Sequence, residues 1–144
     1  MTQTVNEQNM KITNLIILTV VASFAVVTGA CAEGKLPPDS SKAGVTYATD
    51  IKPIFDASCV KCHSGDKPKA RLHMDTLEGV LKGSKQGKIV VVGDSSNSHL
   101  VKSVAHTTPD SDGWMPPVHD KAGIKELTSE QIGLIRAWID QGAK

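Results

Sequence analysis

Apolar positions recur at helical spacing in two parts of the chain. Near the C-terminus, Ile132, Ile135, Trp138 and Ile139 form one stripe. Thr128-Ser129-Glu130-Gln131 stands before it in the T-x-x-Q form of a capping box, and Gly142 follows as a stop. A second helix is predicted ahead of Cys59, where Ile51, Ile54 and Phe55 share a face. In that helix Asp50 can cap, and Pro53 is tolerable only in the first turn. Its apolar face needs a partner, and the C-terminal stripe is the obvious one. Between the two, Gly, Pro, Ser and Asp punctuation separates a short helix around residues 76–81, an extended segment at 89–92 and another short helix around 98–105.

A different pattern occupies the N-terminus. Residues 15–27 form an uncharged apolar run ending in Thr28, Gly29, Ala30, Cys31 and Ala32. The run is shorter than the ~20 apolar residues of a membrane-spanning helix, and its small-residue exit suits a signal peptidase. Residues 1–32 are therefore expected to be an export signal. Met10-Lys11 offers a conventional start directly before the run. Two cleavage readings stay open. Ala30-Cys31-Ala32 fits the A-x-A rule and would release the chain, whereas Thr28-Gly29-Ala30-Cys31 resembles a lipobox that would acylate Cys31. Residues 33–44, rich in Pro, Ser and Gly, have linker composition, and would be a tether if Cys31 carries lipid. The globular part is then 45–144.

Composition narrows the partners. With 16 Lys plus Arg against 15 Asp plus Glu among 144 residues, the net charge of +1 supplies no field for a phosphate backbone, so nucleic acid is excluded. The length suits one domain. Only 3% of the residues are aromatic, which leaves little bulk to fill a core.

The chemistry is concentrated in Cys59-Val60-Lys61-Cys62-His63, a C-x-x-C-H run of the kind that attaches c-type haem. Two thiols three positions apart can each add to one porphyrin vinyl group, which holds the adjacent imidazole beneath the iron. One covalent haem c would also supply the volume that the aromatic residues do not. A thiol-disulfide pair is the rival reading, but it usually sits in a βαβ setting that this pattern lacks. A zinc site would need a second paired-ligand cluster, and His73, His99, His106 and His119 are scattered singly. For the second axial position the candidates are Met74, Met115 and these four histidines. Met115 is favoured, because Trp114 precedes it and Pro116-Pro117 stiffens the loop behind it. Met74 reads more simply as core. Lys61, Lys67, Lys69 and Arg71 could steer an acidic redox partner, with Asp66 and Asp75 diluting the patch.

These residues resemble a class I cytochrome c, and more closely the planctomycete-type cytochrome c domain. The likeness is carried by Ile51-Lys52-Pro53-Ile54-Phe55 leading into CVKCH, by Leu72 to Asp75 and Leu81-Lys82-Gly83, and by Val90 to Asp94 with Ser98 to Leu100. It continues in Met115-Pro116-Pro117, Leu127-Thr128, Gln131-Ile132, Ala137-Trp138-Ile139 and Gly142-Ala143. Val92 departs from the pattern, which usually has proline before Gly93. The resemblance implies an all-α fold with crossing N- and C-terminal helices around one haem, and His63 and Met115 as axial ligands. It also favours an electron carrier over an enzyme. The N-terminal signal adds that the chain is exported or periplasmic, touching a membrane only through a lipid at Cys31, and its expected partners are redox proteins. A haem-based ligand sensor with an open iron and a haem-free thiol-redox protein remain as alternatives.

Overall fold

In the computed structural model, residues 35–118 and 123–144 are described. The signal segment 1–32 with Cys31, the start at Met10, and His119 lie outside the described residues. Among the described residues there are four α-helices: α1 Lys52–Ser58, α2 Leu77–Lys82, α3 His99–Val104 and α4 Ser129–Asp140. A turn of π-helix, Tyr47–Ile51, leads into α1, and single 3₁₀ turns lie at Lys69–Arg71 and Ser111–Gly113. Among the described residues there is no strand, only an isolated bridge between Ser84 and Gly87. None of the described helices is long and apolar enough to cross a membrane.

α4 forms as its sequence predicts. The Thr128 hydroxyl accepts from the Gln131 N–H, the Gln131 side chain accepts from the Thr128 N–H, and the chain leaves at Gly142 with φ 100°. The entry to α1 differs from expectation. Thr46, not Asp50, is the cap: its hydroxyl accepts from the Thr49 N–H. Asp50 instead reaches back to the Thr46 N–H at 2.9 Å, and its carboxylate also receives Lys42. The helical path begins four residues early because Tyr47 must enter the core alongside Ile51. Pro53 sits in the first turn of α1, where its missing N–H costs nothing.

Tyr47, Phe55 and Trp138 join the entry helix to α4. Tyr47 lies 6.0 Å from Trp138 and 6.2 Å from Phe55, and Phe55 meets Trp138 edge-on at 6.4 Å. Ile51, Phe55, Ile135, Trp138 and Ile139 are fully buried around this contact, and Val80 of α2 and Val101 of α3 are equally buried. The chain end closes the cluster, since the Lys144 carbonyl accepts from both the Tyr47 N–H and the Trp138 indole N–H.

The segment of linker composition runs along α4. Arg136 pairs with Asp39 at 2.7 Å and donates to the Pro37 carbonyl, while the Ser40 N–H donates to the Gly133 carbonyl at 3.0 Å. Gly133 permits this approach: a Cβ there would stand 2.6 Å from the Pro38 carbonyl oxygen.

Candidate functional site

A cleft of about 790 Å³ opens beside the end of α1, a volume within the range of roughly 300–1,000 Å³ typical of ligand cavities. Cys59, Cys62, His63 and Met115 all line it. The rest of its wall is largely apolar, with Leu72, Met74, Ile89, Leu100, Val104 and Leu127 contributing. These residues come from segments spread between Ser58 and Leu127.

α1 delivers the C-x-x-C-H turn. The Cys59 N–H continues the helical ladder to the Phe55 carbonyl at 2.8 Å, and the Cys59 carbonyl then accepts from Cys62 and His63 at 3.1 and 3.0 Å. Both thiols are free. Burial pushes the Cys59 thiol up to about 12, with the neighbouring Cys62 adding to the shift, so Cys59 is a neutral S–H at physiological pH. A low-pKa attacking thiolate, the requirement of a thiol-redox centre, is not what this environment produces.

His63 is 9% exposed and is held by the loop that follows it. Its Nδ1 lies 3.1 Å from the Lys69 carbonyl, while the Lys69 N–H donates to the Cys62 carbonyl at 2.9 Å. A carbonyl only accepts, so Nδ1 carries the proton and Nε2 keeps its lone pair. Burial holds the imidazole below its ordinary basicity, the Lys69 carbonyl partly opposing that effect. A neutral ring with one nitrogen anchored and the other bare is the state a metal ligand needs.

Met115 enters from a different segment. Its N–H donates to the Ser103 carbonyl at 3.0 Å, and its half-buried side chain packs against the core. Met74 also lines the cleft and is 3% exposed, but its N–H donates to the His63 carbonyl at 2.8 Å. It therefore hangs from the same loop as His63. Of the other histidines, His99 lines the cleft although its residue is exposed, while His73 approaches Asp75 and His106 stacks on Trp114. His99 is one of the candidates named from the sequence for the second axial position, and the docking of the start of α3 brings it to the cleft. Lys61, Lys67, Lys69 and Arg71 are all exposed. Lys85 and Lys88, not singled out in the sequence, join the cleft lining from the 84–88 turn.

The donors suit a flat macrocycle better than a small cation. No group of three or more His, Cys, Asp or Glu among the described residues is gathered to hold a metal ion. The two thiols and the imidazole instead stand on one turn at the wall of a wide apolar cleft, as a porphyrin with two edge attachments and a central iron requires. An all-helical chain that presents C-x-x-C-H to such a cleft has the features of a cytochrome c. Residues 59–119 match the family described as Planctomycete cytochrome C, a match that supports a planctomycete-type cytochrome c domain in that stretch. The family implies haem c as the cofactor and electron transfer rather than catalysis as the general role. No curated protein and no solved structure matches the chain significantly.

Proposed function

We propose that the chain is an exported electron carrier with one covalent haem, bound through Cys59 and Cys62 and ligated by His63 and Met115. In forming the attachment, each thiol S–H adds across a vinyl C=C, sulfur to one carbon and hydrogen to the other, with no net oxidation. The haem supplies a single iron that cycles between ferrous and ferric states. The observation that carries the reading is the placement of His63, with Nδ1 tied to the Lys69 carbonyl, in one cleft with Met115. Met74 is the weaker candidate, since its backbone bond to His63 keeps it on the proximal loop.

The chain's own residues do three things for such a carrier. His63 presents a neutral nitrogen whose orientation is set by its other ring nitrogen. Met115 supplies a soft thioether that favours the reduced form and leaves no site for substrate. The apolar wall excludes water, which strengthens every electrostatic effect on the iron. Lys61, Lys67, Lys69 and Arg71 form an exposed basic edge for an acidic redox partner. Export through the 1–32 signal leaves the domain free in the periplasm, or tethered there if Cys31 is acylated.

The test is a visible spectrum and a mass of the protein exported from cells competent in cytochrome maturation. Sharp c-type bands, one added haem and insensitivity to carbon monoxide are expected. A carbon monoxide shift would favour the sensor; a colourless chain at its bare peptide mass would leave the thiol-redox reading. The mass of the native N-terminus distinguishes acylation at Cys31 from release.

A further inference from the structure

The loop that carries Met115, read as an axial ligand under the proposed function, has an outer side built around Trp114. Trp114 has an extended backbone, φ −75° and ψ 135°, so its side chain and that of Met115 leave the chain in different directions. The cleft lining agrees: Gly113 and Met115 belong to it and Trp114 does not. On the outer side the indole lies flat against His106, with ring centroids 4.9 Å apart and planes 4° from parallel. The indole N–H donates to the Thr108 carbonyl at 3.3 Å. Both ends of the excursion are pinned to α3, through Met115 N–H to Ser103 at 3.0 Å and Thr107 N–H to Lys102 at 2.9 Å.

His106 occupies this place at a cost. Its φ of 54° is that of the residue closing α3, where the His106 N–H donates to the Ser103 carbonyl at 3.2 Å, a left-handed position in which glycine carries less strain. Its Nε2 is buried without a hydrogen-bond partner, and its Nδ1 comes no closer than 3.9 Å to a Glu126 oxygen. The closure of α3 sets the backbone at His106, and the polar contacts of its ring do not hold the side chain. The flat pairing with Trp114 does, because stacked aromatic rings attract beyond the area they bury.

We propose that His106 is a positioning residue for Met115. Its ring holds Trp114 on the outer side of the loop, and this turns Met115 toward the cleft and sets how firmly the thioether resists displacement. His106 does not itself line the cleft.

The experiment titrates imidazole into the oxidised, haem-loaded protein and follows the visible spectrum. His106→Ala raises the apparent imidazole affinity about 2- to 12-fold, the equivalent of one lost ring pair. His106→Phe, which keeps a flat ring, stays near wild type. His106→Gly relieves the left-handed backbone while removing the ring, and shows the same rise as His106→Ala even if the alanine variant folds poorly. Met115→Ala binds imidazole far more tightly than any of these. Wild-type affinity in both His106→Ala and His106→Gly, with Met115→Ala still far tighter, overturns the positioning role. Equal affinity in wild type and Met115→Ala points instead to a failure of the ligation reading, and the positioning role falls with it.

Discussion

The Tyr47 hydroxyl donates to the Met74 carbonyl at 3.1 Å, tying the first turn of the entry helix to the loop that follows His63. The phenol is withdrawn from water, and burial is the main reason its ionisation is pushed up to about 12, with Asp56 and Asp75 adding to the effect. One side chain thus serves two ends of the molecule: its ring packs on Trp138 and its oxygen on the cleft wall. Tyr47→Phe keeps the packing and leaves a carbonyl unpaired. Denaturant unfolding of the haem-loaded variant should show a loss of about 1–3 kcal/mol. An unchanged stability would mean that water satisfies the carbonyl.

Met115→Ala removes the proposed thioether and leaves the rest of the cleft standing. The midpoint potential should fall, within the roughly 0.8 V range that axial ligands command, and the reduced protein should bind carbon monoxide. Potentiometry and a carbon monoxide difference spectrum measure the two effects. A wild-type midpoint with no new ligand binding would remove Met115 from the iron.

Asp50 makes the stability of the entry helix depend on acid. The Lys42 side chain first, then the Thr46 N–H and the Thr49 side chain, hold its carboxyl down to about 2. A carboxylate whose folded pKa is depressed stabilises the fold fully above its unfolded value, near 4, and loses that contribution as pH falls toward 2. The difference in urea midpoint between wild type and Asp50→Asn should be constant above about pH 5 and should shrink between about pH 4 and pH 2. A difference that does not vary with pH would show that the charge is not what matters.

Gly133 tests whether the 37–40 segment stabilises the domain. A methyl group there would press on the Pro38 carbonyl at 2.6 Å and on the Ser40 N–H at 3.3 Å. Against a helix-propensity gain of about 1 kcal/mol, Gly133→Ala should lower stability through an overpacking cost of about 1–3 kcal/mol. It should also speed tryptic cleavage at Lys42, whose carbonyl accepts from Gln141 in the docked segment. A variant more stable than wild type, cleaved no faster, would show that the segment contributes nothing.

Much of the fold was legible because its signals are local. The Thr128–Gln131 capping box, the stripe of Ile132, Ile135, Trp138 and Ile139, and the Gly142 stop depend on a few consecutive residues, and α4 follows them closely. The start of the first helix was misplaced because Asp50 and Thr46 are both competent caps. The choice between them was made by Tyr47, whose burial against Trp138 begins the helical turn earlier. The stretch 89–92, expected to be extended, finds no strand partner among the described residues: Ile89 and Val90 turn inward and Val91 and Val92 stay exposed.

By itself the order of residues determined the chemistry on offer, since the spacing of Cys59, Cys62 and His63 is a property of the chain and not of its folding. Only the tertiary structure decided what surrounds that chemistry. It put Met115, His99 and Lys88 on one cleft, held the His63 ring by the Lys69 carbonyl and pressed Trp114 flat on His106. Met115, His99 and Lys88 reach the cleft from segments far from Cys59 in sequence, so docking energy selects them, while the His63 and Trp114 contacts close over short loops whose path no local propensity dictates.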